Sequence, residues 1–400
     1  MKILVCCDEY PFPPRNGVTI PSSAYITLLK QQHKVDCLVL TDTAQENDVH
    51  FSMQTEQQVD KMFVLPRQRQ SVFYRLWAEL FLGIPSFHAW SYENGKTLLG
   101  FNPKEYDVIL ATPISALDFP LGFIKEEQRL VAAISDCYTS VLANAVTGSA
   151  LSRLVKQFRV WRMAGIERAL LEQCSSVIVQ TERDREWIRK FAGNTIAKYT
   201  IPITNGVADS LLTEPLVSTM PELVMVANYS DILYRQNLRW FYEQVWPLVK
   251  AENGQVTLRV VGKGLDLDAE LSTMLANDID IKLMGYVPNL IDAYRGTRVA
   301  LAPIFKSYGY INKVAEAFSV GLPVVGDASA FNGLEKSISL GFATIAKTPR
   351  EFALAIANYL NNAEIWHTAS IAARDFALKE LSWQSRAKSL NKAVFGDGLF

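Results

Sequence analysis

Ahead of residue 312 the chain sets an aromatic–glycine–aromatic turn, Tyr308-Gly309-Tyr310, followed by Asn312, Lys313 and Glu316 within INKVAEAFSVG (311–321), a segment that reads as a helix. A lysine in the first helical turn carries its ammonium beside backbone N–H groups that have no partner inside the helix. Cation and N–H groups together suit an anion, a phosphate above all. Glu316 is three residues further on and therefore on the same face as Lys313. Its carboxylate can accept two hydroxyl hydrogen bonds, which suits a ribose; a plain Glu–Lys surface pair is the competing reading. Gly309 either lets the backbone close on phosphates or is an ordinary turn glycine.

Other candidates are scattered but sit at strand exits. Arg235 lies in NYSDILYRQN after a strand read at 223–228, with Lys263 as its rival for a second cation and a solvated loop arginine as the alternative. Gly17 closes PFPPRNG (11–17), where the two prolines already demand a turn. Asp136 ends RLVAAISD (129–136), at the edge where doubly wound sheets bind ligands. It can orient a hydroxyl or take its proton, or it can cap a helix. Glu167 reads better as a structural hydrogen-bonding group. Asp266-Leu267-Asp268 has the look of a metal motif but opens a helix after a strand. His33, His50, His88 and His367 have no ligand spacing, so no metal site is expected.

The elements that would position these residues alternate regularly. Strands read at 2–7, 35–40, 107–112, 129–136, 175–181 and 199–203, with helices near 21–32 and 158–174, which is the order of a doubly wound parallel sheet. A second series restarts at Leu223 with strands at 223–228, 256–262, 281–287, 299–304 and 322–327. The stretch 204–220 is rich in turn formers and reads as the linker. Four hundred residues, about half apolar, are enough for two such domains.

The bulk numbers exclude several classes. Lys plus Arg number 40 against 41 Asp plus Glu, so no nucleic-acid partner is expected. The five cysteines match neither a zinc nor a redox spacing and read as buried thiols of a reducing compartment. No basic start followed by an apolar stretch suggests a signal peptide, and no run is long enough to span a membrane. The stretch SVFYRLWAELFLGIPSFHAW (71–90) is aromatic and apolar. It reads either as a helix packed on its own domain or as one touching a membrane.

With those residues in view, AYRGTRVALAPIFKSYGYINKVAEAFSVGLPVVGD resembles the donor site of family 4 glycosyltransferases of the GT-B fold, in particular the bacterial exopolysaccharide-type sugar transferases. Gly309, Asn312, Lys313, Glu316, Ala317, Gly321, Pro323, Val324 and Val325 fall on the pattern. PFPPRNG, TERDREWI (181–188), TNGV (204–207), GYVPN (285–289) and LSW (381–383) resemble further landmarks in the same order. One departure is clear: Tyr308 stands eight residues before Glu316, where many relatives have a first glutamate.

The resemblance implies an α/β protein of two Rossmann-like, doubly wound domains facing a central cleft. Residues 1–205 would be the acceptor side, with 381–400 packing back on it, and 206–380 the nucleotide-sugar donor domain. It implies a retaining, metal-independent hexosyltransferase for polysaccharide or glycoconjugate assembly. The nucleotide-diphosphate sugar is then a substrate, no cofactor is needed, and the acceptor is a glycan or a lipid-linked carrier. Lys313 and Arg235 would meet the diphosphate, Glu316 the ribose, and Asp136 the acceptor hydroxyl. Gly17, Gly309, Tyr310 and Asn312 would line the donor. The location implied is cytoplasmic, with contact to the inner membrane face left open. A nucleotide-sugar 2-epimerase of the same fold and an inactive nucleotide-sugar binder are the rivals.

Overall fold

The computed structural model describes residues 1–42, 49–82, 90–92, 100–135, 137–144, 149–213, 220–305 and 309–396. Asp136, Tyr308, His88, part of the linker stretch (214–219) and residues 83–89 of the aromatic stretch lie outside the described residues. The chain forms two compact units, Met1–Thr204 with Arg386–Phe400, and Asn205–Ser385.

The first unit is built on β1 (Lys2–Cys7), β2 (Lys34–Asp42), β3 (Lys61–Arg69), β4 (Trp90–Tyr92), β5 (Val108–Thr112), β6 (Arg129–Ile134), β7 (Ser176–Val179) and β8 (Thr200–Pro202). They run in the order β4-β3-β2-β1-β5-β6-β7-β8. Neighbours are parallel except β3 and β4, which pair antiparallel at the edge. Central strands of a parallel sheet are covered on both faces, so they need unbroken apolar runs. KILVCC and VILAT supply them, and every residue of VILAT is buried. Two strands go unread in the sequence: β3, whose KMFVLPRQR carries Pro66 and a charged end, and the three-residue β4. The helix Ala150–Leu171 starts eight residues earlier than the periodicity predicts, at a capping box between Ser149 and Ser152. All five cysteines are buried free thiols.

In the second unit β9 (Glu222–Val226), β10 (Thr257–Val261), β11 (Ile281–Gly285), β12 (Val299–Ala302), β13 (Val324–Gly326) and β14 (Ala343–Ile345) form a parallel sheet in the order β11-β10-β9-β12-β13-β14. Its core includes Phe241, Trp246, Phe318, Phe342 and Phe352, all fully buried. Strand order reverses between β1 and β5 in one sheet and between β9 and β12 in the other. Such switch points open a crevice at the carboxyl ends of the strands.

The sequence landmarks have structural causes. Thr181 and Asp184 form a capping box at the start of the helix Glu182–Ala192, each side chain bonding the other's N–H. TNGV and LSW pack together: the Val207 N–H donates to the Leu381 carbonyl, and a Cβ on Gly206 would sit 2.7 Å from the Trp383 ring. Among the described residues no helix is long and apolar enough to cross a membrane.

Candidate functional site

The switch point of the second sheet gathers most of the candidate residues. β12 ends at Ala302, and the helix Asn312–Ser319 begins beyond the turn. Leu322 is turned back by its N–H bonding the Ala317 carbonyl, with Gly321 at φ +80°. The helix start therefore stands at the carboxyl edge of the sheet, where its free N–H groups attract anions.

Lys313 and Glu316 share a helix face, with Nζ 3.6 Å from Oε2; the lysine side chain is 40% exposed and the glutamate's 10%. Glu316 is also held from below by Tyr294, a fully buried residue of the short helix Leu290–Tyr294. Its hydroxyl donates to Glu316 Oε2 at 3.2 Å and lies 3.3 Å from the Lys313 carbonyl. Burial first, and the neighbouring carboxylate second, push the Tyr294 hydroxyl well above its ordinary pKa. It therefore stays a neutral donor, and one Glu316 oxygen is fixed while the other is left to accept elsewhere. The sequence reading passes over Tyr294 because in DAYRG it is indistinguishable from a core tyrosine. Val226, Tyr294, Ala302, Ile304 and Lys313 line a small pocket here.

The remaining candidates lie close by. Tyr310 is 7% exposed, and the Gly309 carbonyl accepts from Asn332 Nδ2 at 3.3 Å. Asn312 uses its Oδ1 to accept from Asn205 Nδ2 at 3.1 Å, so it ties the helix start to the TNGV segment. Arg235 is in the first turn of Ile232–Trp240, the helix that follows β9, and its guanidinium donates to the Tyr229 carbonyl.

The VGKG turn after β10 is packed more tightly than its sequence suggests. Gly262, at φ +142°, lies so close to the β9 exit that a Cβ would stand 1.7 Å from the Ala227 carbonyl oxygen. A Cβ on Gly264, at φ +88°, would stand 2.4 Å from the Ser230 nitrogen. Asp268 caps Ala269–Ala276 by accepting from the Leu271 N–H and pairs with Arg239 at 3.0 Å. Those two contacts account for its place in the DLD sequence. Among the described residues no three His, Cys, Asp or Glu side chains cluster as metal ligands would.

At the carboxyl edge of the first sheet, Gly17 precedes the helix Thr19–Lys30. Asn16 Oδ1 accepts from the N–H groups of Val18 and Thr19, both at 2.9 Å, and so occupies donors at that helix start. A Cβ on Gly17 would meet nothing within 4 Å, and its φ is not in the left-handed region. The turn thus does not itself require glycine. Glu167 is buried and accepts from the N–H groups of Tyr138 (2.7 Å) and Thr139 (3.0 Å), capping Tyr138–Asn144. Burial raises its carboxyl to about 7 despite those bonds. Asp8, just past β1, accepts from Ser115 Oγ at 2.5 Å and is raised by burial to about 6, with Arg67 at 3.9 Å pulling the other way.

Residues 220–362 match a family model described as glycosyl transferases group 1, a span that begins just ahead of β9 and includes all of the second switch point. No curated protein matches the chain in sequence. Solved structures match over nearly its full length. HepE of Anabaena, in complex with UDP and glucose, is 16% identical with a TM-score of 0.63 over 98% of each chain. WaaG, a glycosyltransferase involved in lipopolysaccharide biosynthesis, is 15% identical with a TM-score of 0.62 over 98% of this chain and 100% of that one. TarM is 12% identical with a TM-score of 0.66 over 98% of each. At these identities the likeness establishes the fold. The chain has the GT-B fold, and residues 220–362 within its second unit are a glycosyl transferases group 1 domain.

Proposed function

We propose that the protein is a glycosyltransferase that takes a hexosyl group from a nucleoside diphosphate sugar, without a metal and with retention of anomeric configuration. The observation that carries this reading is the Lys313–Glu316–Tyr294 arrangement at a helix start on the switch point of the group 1 domain. UDP in HepE supports the same ligand class. In this reading Lys313 and the helix N–H groups meet the charge that develops on the leaving diphosphate. Glu316, steadied by Tyr294, accepts the ribose hydroxyls, and Arg235 turns from the Tyr229 carbonyl to a phosphate. Gly309, Tyr310 and Asn312 shape the donor loop, while Gly17 and Asp136 are the acceptor-side groups. A glycan or lipid-linked acceptor and a cytoplasmic setting follow from the resemblance of the motifs. The chemistry calls for preorganised positive charge rather than a nucleophile.

The test is ligand-observed NMR with a panel of nucleoside diphosphates and their sugars, on the native chain and on Lys313→Ala, followed by turnover with the bound donor. Selective binding of one nucleotide sugar is expected. Turnover should fall by about two to three orders of magnitude in the variant, the usual loss for one such contact. Binding without turnover for any acceptor would favour the inactive binder, and full activity in Lys313→Ala would place the site elsewhere.

A further inference from the structure

The helix Asn312–Ser319 starts against its local preference. Its N-cap is Ile311, which makes no side-chain cap, although an asparagine stands next to it. Asparagine is among the best N-cap residues and isoleucine among the poorest. Other helices of the second unit take the preferred residue. Asn289 caps Leu290–Tyr294 by accepting from the Ile291 N–H at 3.4 Å, and Asn362 caps Ala363–Phe376 by accepting from the Ile365 N–H at 3.1 Å. Left to local preference, this helix would begin one residue later, with the Asn312 side-chain oxygen folded onto the N–H groups of its own first turn. An asparagine in that posture competes with any anion for the same donors.

What holds the oxygen away is Asn205, whose Nδ2 donates to Asn312 Oδ1 at 3.1 Å. Asn205 is 1% exposed, and its own Oδ1 is buried without a hydrogen-bond partner among the described residues. A side chain buried for packing alone would do better without an unsatisfied oxygen, so the bond to Asn312 is what the amide is there to make. Its backbone is anchored independently of the helix. The Val207 N–H donates to the Leu381 carbonyl at 2.9 Å, and Gly206 lies against the Trp383 ring. Asn205 therefore cannot follow Asn312 if that side chain turns towards the helix. We infer that Asn205 is a positioning residue of the donor site: it keeps Asn312 from capping its own helix and so leaves the first-turn N–H groups beside Lys313 open to a diphosphate. The inference rests on the donor reading of Lys313 proposed above and adds to it a residue that acts only through Asn312.

The test is titration of the full chain with inorganic pyrophosphate, which carries the charge of the diphosphate and no base or sugar, followed by phosphorus NMR. Lys313→Ala is the control for the site and should weaken binding. Asn205→Ala should raise the pyrophosphate Kd about fivefold, the worth of one N-cap that the anion must displace. The distinctive expectation is a rescue: Asn205→Ala/Asn312→Ala lacks the competing oxygen and should bind about threefold or more tightly than Asn205→Ala. Circular dichroism checks folding, and Asn205→Ser, which keeps a small polar group at the buried position, takes the place of Asn205→Ala if that variant unfolds. Unchanged affinity in the folded Asn205 variant overturns the inference while leaving the donor reading intact. So does a loss that removal of the Asn312 side chain fails to recover, because Asn205 would then be merely structural. No binding by the native chain, or full binding by Lys313→Ala, would overturn the donor reading itself and this inference with it.

Discussion

The carboxyl edges of the two sheets hold their loops by different means. In the second unit backbone lies on backbone, with Gly262 against the Ala227 carbonyl, Gly264 against Ser230 and Gly326 against the Ala302 carbonyl. In the first unit side chains do the work. Asn16 and Thr19 lace residues 15–19, Arg15 spans from Glu9 to the Phe51 ring, and the Glu167 carboxylate caps a helix. A backbone clasp restricts the residue type at each contact to glycine, whereas many side-chain sets can lace a loop. All three clasps fall within residues 220–362, the span of the family match.

The largest effect should come from breaking the clasp. Gly262→Ala puts a methyl group onto a carbonyl oxygen at a φ that disfavours a side chain, and neither strand end can yield cheaply. A loss of about 3–5 kcal/mol in unfolding free energy is expected, summing backbone strain and overpacking. Urea denaturation followed by tryptophan fluorescence measures it. A loss below about 1 kcal/mol, an ordinary value for any substitution, would show that the clasp is loose.

The second contrast is in protonation. Carboxylates near the first edge are raised by burial, Glu167 to about 7 and Asp8 to about 6, while Asp268 at the second edge is lowered, chiefly by the Leu271 N–H. A raised carboxyl binds its proton more tightly in the folded chain. Its stabilising contribution is complete below the ordinary carboxylate pKa and is lost as pH rises through the folded value. Melting temperature should therefore fall between about pH 4 and pH 7, most steeply below Asp8's value, where both groups contribute, and level off above Glu167's. In Glu167→Gln the slope should flatten, at a constant cost of about 1–3 kcal/mol because one N–H loses its acceptor. A slope identical to that of the native chain would exclude Glu167 as its source.

How far each edge could be read from sequence follows the same division. The doubly wound sheets were legible because parallel strands such as KILVCC and VILAT announce themselves as apolar runs, whereas the GT-B fold was implied only by the resemblance of the motifs. β3 was not, since Pro66 and Arg67 interrupt its pattern, and β14 (Ala343–Ile345) is too short for any period. In the second unit Lys313 and Glu316 stand out by spacing within one helix, but Tyr294 lies twenty-two residues before Glu316. Only the packed sheet shows that it holds the carboxylate. Nor does VGKG announce its role, because Gly262 and Gly264 answer to the neighbouring strand exit, a contact that no local pattern encodes.

The smallest effect on stability, and the sharpest comparison with Gly262, belongs to Gly17. Both are glycines at a strand exit, yet a methyl at Gly17 would meet nothing within 4 Å and would not strain the backbone. Gly17→Ala should thus leave the unfolding free energy within about 0.5 kcal/mol of the native value. If the open space beside Gly17 is where substrate approaches, the same methyl displaces the reacting groups. kcat/KM should then fall by about 10- to 100-fold, the scale of an ångström of misplacement. Unchanged activity together with unchanged stability would mean that neither the turn nor the substrate needs glycine at that position, and the acceptor side would have to be sought along another part of the first sheet's edge.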